Sequence, residues 1–317
     1  MSENLIESFN ELYDSTVADK LFDEVKILCW VMTTPANHKT KALHVKQTWG
    51  KFCNKLLFVS SQTDVDLGAV ALTVNEGRDF LWGKTRIAFH YIYNHHFNDA
   101  DWFVKADDDS FMIPENIRHM LSQYKPTTSL YFGHRFAVSH VKEGYMAGGG
   151  YILSKHALEK FVTRILPNDT LCRADEGGAE DLELGKCLEH FAIAVDARDA
   201  MQQKRFFPVG VLQHMEPVAD PGYWYVKNQY YNVPQGSLKC CSDTPANFHY
   251  IPPEEMYALE YYIRHVHPFG LQKNITEVFP QKLSLKDILR ASDAESTAAS
   301  FKKHSIHHNF DKLEIYK

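Results

Sequence analysis

Trp102-Phe103-Val104-Lys105-Ala106-Asp107-Asp108-Asp109-Ser110 decides how the rest of the chain is read. Its apolar half reads as a buried strand. The three carboxylates then fall at the C-terminal end of that strand, where open α/β sheets place their ligands. Like charges this close repel one another, and a divalent cation is the simplest remedy. Carboxylate oxygens suit hard or intermediate ions such as Mg²⁺ or Mn²⁺. The competing reading is a solvated acidic turn.

The stretches before it build a sheet around this strand. Lys26–Met32 is largely apolar with β-branched members and breaks at Thr33-Thr34-Pro35. A helix follows through Ala42, Val45 and Trp49, then strands at Leu56–Ser60 and Ala69–Val74. A strand–helix–strand start implies parallel crossovers and an α/β class. Glu76-Gly77-Arg78-Asp79 turns the chain into a long helix with Leu81, Ala88, Tyr91 and Ile92 on one face. After the acidic strand tip, Pro114 opens a helix and Ser129–Gly133 is strand-like. Gly148-Gly149-Gly150 enters another strand, where missing side chains permit close backbone approach. Ser154 caps the next helix. The acidic loop Asp175–Asp181 leads into a helix with Cys187 and Leu188. Residues 199–248 read as irregular, and Pro252-Pro253 precede a further helix. The expected organisation is a lead-in over 1–24, one domain over 25–270 and a polar, mobile tail over 271–317.

Bulk properties restrict the function. The 317 residues are 44% hydrophobic, enough for a sizeable core, and the net charge of −6 argues against nucleic acid as partner. No run reaches the roughly 18 apolar residues of a membrane span, and the N-terminus shows no signal-peptide pattern. Six cysteines and the triplets Asn168-Asp169-Thr170 and Asn274-Ile275-Thr276 point instead to a secretory lumen. Truncation and loss of an anchor both reconcile these signs, and the residues do not choose between them.

In order over about 25–270, the motifs resemble the core 1 β1,3-galactosyltransferases within the wider Fringe-like group. The matching pieces include Cys29-Trp30-Val31-Met32-Thr33, Lys41-Ala42-x-His44-Val45-Lys46-x-Thr48-Trp49 and Glu76-Gly77-Arg78-Asp79. Asp101–Asp109, Glu180-Asp181-Leu182, Cys240-Cys241-Ser242-Asp243 and Phe248-His249-Tyr250 continue the series. The resemblance implies a GT-A fold, UDP-galactose as donor, Mn²⁺ as cofactor, a GalNAc-bearing glycoprotein acceptor and inversion at the sugar carbon. It also implies a type II anchor in the Golgi; a homodimer is a further expectation.

Roles follow residue by residue. Asp109 and His249 are the expected metal ligands, with Asp107 shared between metal and donor sugar. Met32, Thr33, Arg78, Asp79, Lys84 and Asp108 are expected around the UDP-sugar, Lys84 and Arg78 offsetting charge on the diphosphate. Asp181 is the candidate general base; a plain helix-start carboxylate is the bland alternative. Tyr145, Gly148, Gly149, Trp224, Tyr225 and Glu180 are expected on the acceptor side. There the chain departs from the family pattern, with Val226 where a second tryptophan usually stands. The resemblance implies the pairs Cys29–Cys53, Cys172–Cys187 and Cys240–Cys241. The competing readings are a Fringe-like transferase with another donor, such as UDP-GlcNAc, and an inactive chaperone or carbohydrate binder.

Overall fold

The computed structural model describes residues 15–215, 222–231, 239–266 and 281–293. Five apolar runs become the main strands: Ile27–Met32 (β1), Lys55–Ser60 (β2), Trp102–Asp107 (β4), Leu130–Val138 (β6) and Val141–Ser154 (β7), with Ala69–Ala71 (β3) completing the parallel start. Short pieces follow at Phe111–Met112 (β5), Ile193–Ala194 (β8), Phe206–Phe207 (β9) and Asn247–Phe248 (β10). The central sheet has the order β3-β2-β1-β4-β7-β6-β8. All neighbours are parallel except those of β7, which runs against both β4 and β6. The chain is therefore the mostly parallel α/β sheet expected from its crossovers.

Alternation along β1 and β4 feeds two cores, one on each face of the sheet. Ile27, Cys29 and Val31 pack with Trp102, Val104 and Ala106 on one side. Leu28 and Trp30 pack with Phe103, Phe89 and Tyr151 on the other. Lys105 occupies the second face too, two residues from Phe103, and is 2% exposed. The helix Leu81–His96 covers this face with Trp82, Ala88, Phe89 and Ile92. Its ring contacts include Phe89 edge-on to Trp30 at 5.2 Å.

Two starts are set by local chemistry. Pro114 sits in the first turn of helix Pro114–Leu121, where its missing N–H costs nothing. Ser154 accepts a hydrogen bond from Ala157 N and caps Lys155–Lys160. A second sheet, β5-β10-β9, pairs Phe248 with Phe111 antiparallel. All three expected disulfides are present: Cys29–Cys53, Cys172–Cys187 and Cys240–Cys241.

Part of the expected tail is ordered. Leu285–Asp293 is a helix whose Ile288 is buried against the main core. Leu283 N–H donates to Gln123 O at 2.8 Å and the Lys282 ammonium to Tyr124 O at 3.1 Å. One apolar residue seated on the core outweighs the polar composition that made this stretch read as mobile. Residues 271–280 and 294–317 of that segment lie outside the described residues, as do 1–14 of the lead-in, whose remainder contains the helix Thr16–Glu24. Among the described residues no helix is long and apolar enough to cross a membrane.

Candidate active site

The acidic strand tip is a closed turn. Ser110 N–H donates to Asp107 O at 3.0 Å, and its hydroxyl donates to Gly149 O on β7 at 2.6 Å. Trp49 Nε1 holds Ser110 O at 2.9 Å. β5 follows directly and pairs with β10, so His249, the next residue after β10, lands over Asp109. Ile251 N–H to Asp109 O, at 2.9 Å, fixes that crossing.

Asp107, Asp109 and His249 each offer one ligand atom, all within 4.8 Å of one another. His249 Nε2 stands 3.3 Å from Asp109 Oδ1 and 3.6 Å from Asp107 Oδ2. Its Nδ1 lies 3.1 Å from Pro208 O, which leaves Nε2 facing the two carboxylates. Burial opposes charge on this imidazole, but bonds to Asp107 and Asp109 outweigh it and raise the group to about 9. A site that draws a proton this strongly onto one nitrogen and two carboxylates has the donor set for an intermediate divalent ion. The residues fit the cation that the sequence pattern implied. Tyr250, whose ring stacks on His249 at 4.0 Å, adopts φ +56 and is half exposed. Its left-handed backbone is unusual for a bulky residue and turns the ring onto the imidazole.

The central carboxylate points elsewhere. Asp108 Oδ2 accepts from Thr33 Oγ1 at 2.7 Å and Asn37 Nδ2 at 2.9 Å, tying the ends of β4 and β1 together. Thr33 and Met32 are buried at that junction. Lys84 is also absorbed by the frame. Its ammonium donates to Thr33 O at 2.5 Å and to both oxygens of Glu76, at 3.0 and 2.9 Å, and it is 1% exposed. The expected phosphate contact at Lys84 is therefore replaced by a structural ion pair. Lys41 faces the triplet from the solvent side, 3.4 Å from Asp109 and 3.7 Å from Asp108, with its side chain partly exposed. Arg78 and Asp79 lie exposed on the turn before the long helix, and Arg78 is near enough to act electrostatically on Tyr250.

The second half of the site hangs on the glycine run. Gly148 N–H donates to Asp181 Oδ2 at 3.0 Å, while Asp181 Oδ1 accepts from Leu182 N–H at 2.9 Å. A Cβ on the next residue, Gly149, would collide with the His249 ring. Two consecutive glycines thus touch the candidate base and the metal histidine, and at Gly149 there is no room for a side chain, whereas a Cβ on Gly148 would make only ordinary contacts with Glu180 and Asp181. Burial raises the Asp181 carboxyl, against the lowering effect of its two backbone donors.

Lys105 joins the halves. Its ammonium lies 2.6 Å from Asp107 Oδ1, 2.5 Å from Gly148 O and 3.9 Å from Glu180 Oε2. Burial disfavours its charge, but Asp107 and Glu180 outweigh that and hold it above the ordinary lysine value. Glu180 is turned inward, accepting from Tyr151 OH at 2.7 Å and Thr85 Oγ1 at 3.0 Å. Burial pushes it up to about 7 despite Lys105. It is 7% exposed, which corrects its placement on the acceptor face. Tyr225 is corrected likewise: it is 2% exposed and forms the core of its loop with Phe136 and Ala147. Trp224 is exposed and lies 5.7 Å from Phe136, whose other side meets Tyr145 at 5.6 Å. Val226 packs partly buried against that cluster. Lys105, Lys41 and Tyr250 had no role in the sequence reading. The one available signal was a lysine inside an otherwise apolar strand.

An α/β sheet with an Asp-x-Asp strand tip, a facing histidine and a separate carboxylate across a glycine-rich strand defines a GT-A type of glycosyltransferase. The chain belongs to the Fringe-like family, whose description matches residues 22–205. It is 43% identical over 263 residues to glycoprotein-N-acetylgalactosamine 3-beta-galactosyltransferase 1 of Xenopus laevis, covering 82% of this chain and 72% of that protein. It is 25% identical over 206 residues to the mouse beta-1,3-glucosyltransferase, covering 63% of this chain and 41% of the relative. Human chondroitin sulfate synthase 3 is 24% identical over 179 residues, covering 51% of this chain and 20% of that protein.

Proposed function

We propose that this protein transfers galactose from UDP-galactose to the 3-hydroxyl of GalNAc on Ser or Thr of a glycoprotein, with inversion. The observation that carries the reading is the pairing, through Gly148 and Gly149, of the Asp107–Asp109–His249 cluster with Asp181. The Xenopus relative supplies the donor and acceptor classes.

Asp181 takes the proton of the acceptor hydroxyl as that oxygen attacks the sugar C1 from the face opposite UDP; the C1–O bond to the diphosphate breaks and UDP leaves. The raised affinity of Asp181 for protons suits it to this task. Gly148 N–H orients the carboxylate. Lys41 brings a cation to the diphosphate side. Asp107, Asp109 and His249 would hold Mn²⁺, which supplies Lewis-acid stabilisation of the leaving diphosphate. Trp224 and Tyr145 offer the aromatic faces that sugar C–H surfaces favour. The three disulfides support a secretory-pathway lumen, with the Golgi as the compartment this reaction class implies.

The test is turnover of UDP-galactose with a GalNAc-Ser/Thr peptide and Mn²⁺, beside UDP-glucose and UDP-GlcNAc. The resemblance to the glucosyltransferases makes UDP-glucose the second reading. Unchanged rates in Asp109→Ala and Asp181→Ala would refute the roles. Binding of UDP and Mn²⁺ without transfer to any acceptor would establish the carbohydrate-binding alternative instead.

A further inference from the structure

A second cleft, partly open to solvent, lies between β6, the segment after β8, and β9. Neither the metal cluster nor Asp181 lines it. Its charged lining is His134, Arg135, Asp196, Arg198 and Lys204, with Gln229 completing the wall. Two of the cations are already matched. Arg198 grips Asp196 through Nε and Nη2, the latter at 2.8 Å. Arg135 is held by the Glu143 carboxylate at 2.8 Å and Tyr231 OH at 2.9 Å.

Lys204 is the surplus charge. It is 3% exposed and has no carboxylate partner among the described residues; the Tyr225 ring lies 5.0 Å from its ammonium. Gln229 is 4% exposed, and neither atom of its amide is hydrogen-bonded. His134 Nε2 is buried and equally unpartnered. Backbone hydrogen bonds hold the main chain that carries Lys204 and Gln229. Lys204 N–H donates to Cys240 O at 3.0 Å and Lys204 O accepts from Ser242 N–H at 2.9 Å. Around Gln229, Ala137 N–H donates to Asn228 O at 2.7 Å and Tyr230 N–H to Arg135 O at 3.0 Å. Burial moves Lys204 down only to about 8, so it stays charged at neutral pH, and drives His134 well below the usual imidazole range.

A buried, unpaired ammonium beside an unsatisfied amide is costly unless a partner arrives. Water would satisfy the amide but would leave the charge unmatched. We infer that this cleft binds a small oxyanion, a carboxylate, phosphate or sulfate group, gripped by the Lys204 ammonium and the Gln229 amide. The inference stands independently of the transfer reaction. Such a group can be a free inorganic anion or an acidic substituent of the acceptor, because Gln229 belongs to the same short segment as the exposed Trp224.

The test is calorimetric titration of the full chain with sodium sulfate and sodium phosphate, against sodium chloride at equal ionic strength. Wild-type protein is expected to bind one anion saturably. Lys204→Met should weaken it at least about tenfold, the loss of one charge-assisted bond. Gln229→Leu removes a buried amide that bonds to nothing, so it should fold normally and still weaken binding. Lys41→Met, which alters the transferase cleft, should leave the affinity unchanged. Absence of saturable binding, or wild-type affinity in the folded Gln229→Leu and Lys204→Met proteins, overturns the proposal. So does binding lost in Lys41→Met but kept in Lys204→Met. Sulfate that raises the KM of an acidic acceptor peptide but not of a neutral one identifies the acceptor's acid as the occupant. Equal, unchanged KM values identify the free anion.

Discussion

Replacing Lys105 with Met tests the link between the two halves of the site. Methionine matches the lysine stem in length and is apolar, so the change removes charge without opening a large cavity. Three groups then lose their partner: Asp107 at 2.6 Å, Gly148 O at 2.5 Å and Glu180 at 3.9 Å. Breaking a buried ion pair by deleting one member costs about 3–5 kcal/mol, because the charges left behind stay buried. For a domain of this size that is roughly a 10 °C fall in Tm, read by thermal unfolding. Activity gives a second readout. Lys105 lowers the pKa of Asp181 and Glu180, so its loss raises both. Asp181 acts as base only when deprotonated. The acidic limb of the kcat/KM profile for the acceptor should therefore move to higher pH in Lys105→Met. Lys105→Arg should restore part of the stability, since it keeps the charge. A fall of less than about 1 kcal/mol, together with an unshifted acidic limb, would refute the bridging role; so large a discrepancy lies outside the usual range for buried pairs.

Three further outcomes are expected. Asp181→Asn keeps an oxygen for Gly148 N–H but loses the acceptor of Leu182 N–H, so a loss of about 1 kcal/mol in stability should accompany a fall in kcat of about 10²–10⁴, measured with saturating acceptor. Glu180 has a folded-state value near 7 against 4.5 for an ordinary glutamate. Wild type therefore loses stability from this group as pH rises between those values, and Glu180→Gln should gain on it by about 3 kcal/mol across that interval in urea unfolding. A flat difference between the two proteins would remove the burial argument. Gly149→Ala must displace the His249 ring. Mn²⁺ affinity measured by titration should fall, while Gly68→Ala, strained at its own φ of +83 but in an exposed turn remote from the cluster, should leave it unchanged.

The sheet was legible because its strands are continuous apolar runs and its strand–helix–strand start implied parallel crossovers; the strand order and the reversed β7 were not. The Asp107–Asp109 tip needed only its place at the end of such a run. What escaped the sequence was which charges would face each other. Lys84 looked available for phosphate because nothing in the one-dimensional pattern says that Glu76 turns back on it. Lys105 looked like an anomaly in a strand, since its partner Glu180 arrives only after β7 inserts against β4. Tyr225 and Trp224 are adjacent aromatics, and only packing against Phe136 and Ala147 decides which is buried. The helix Leu285–Asp293 was hidden because a single buried isoleucine is too little signal in a polar stretch.

The lone antiparallel strand also constrains how this chain can vary in length. β7 runs for 14 residues, paired with β6 along most of it and with β4 over Gly150–Ser154. Inserting or deleting one residue within it would exchange every inward and outward side chain beyond that point. Tyr151 would leave the rings of Trp30 and Phe89. Length changes in relatives that keep the reaction are therefore expected in surface turns such as 61–68 and not between Val141 and Ser154. A deletion scan scored for folded, active protein would display that contrast directly.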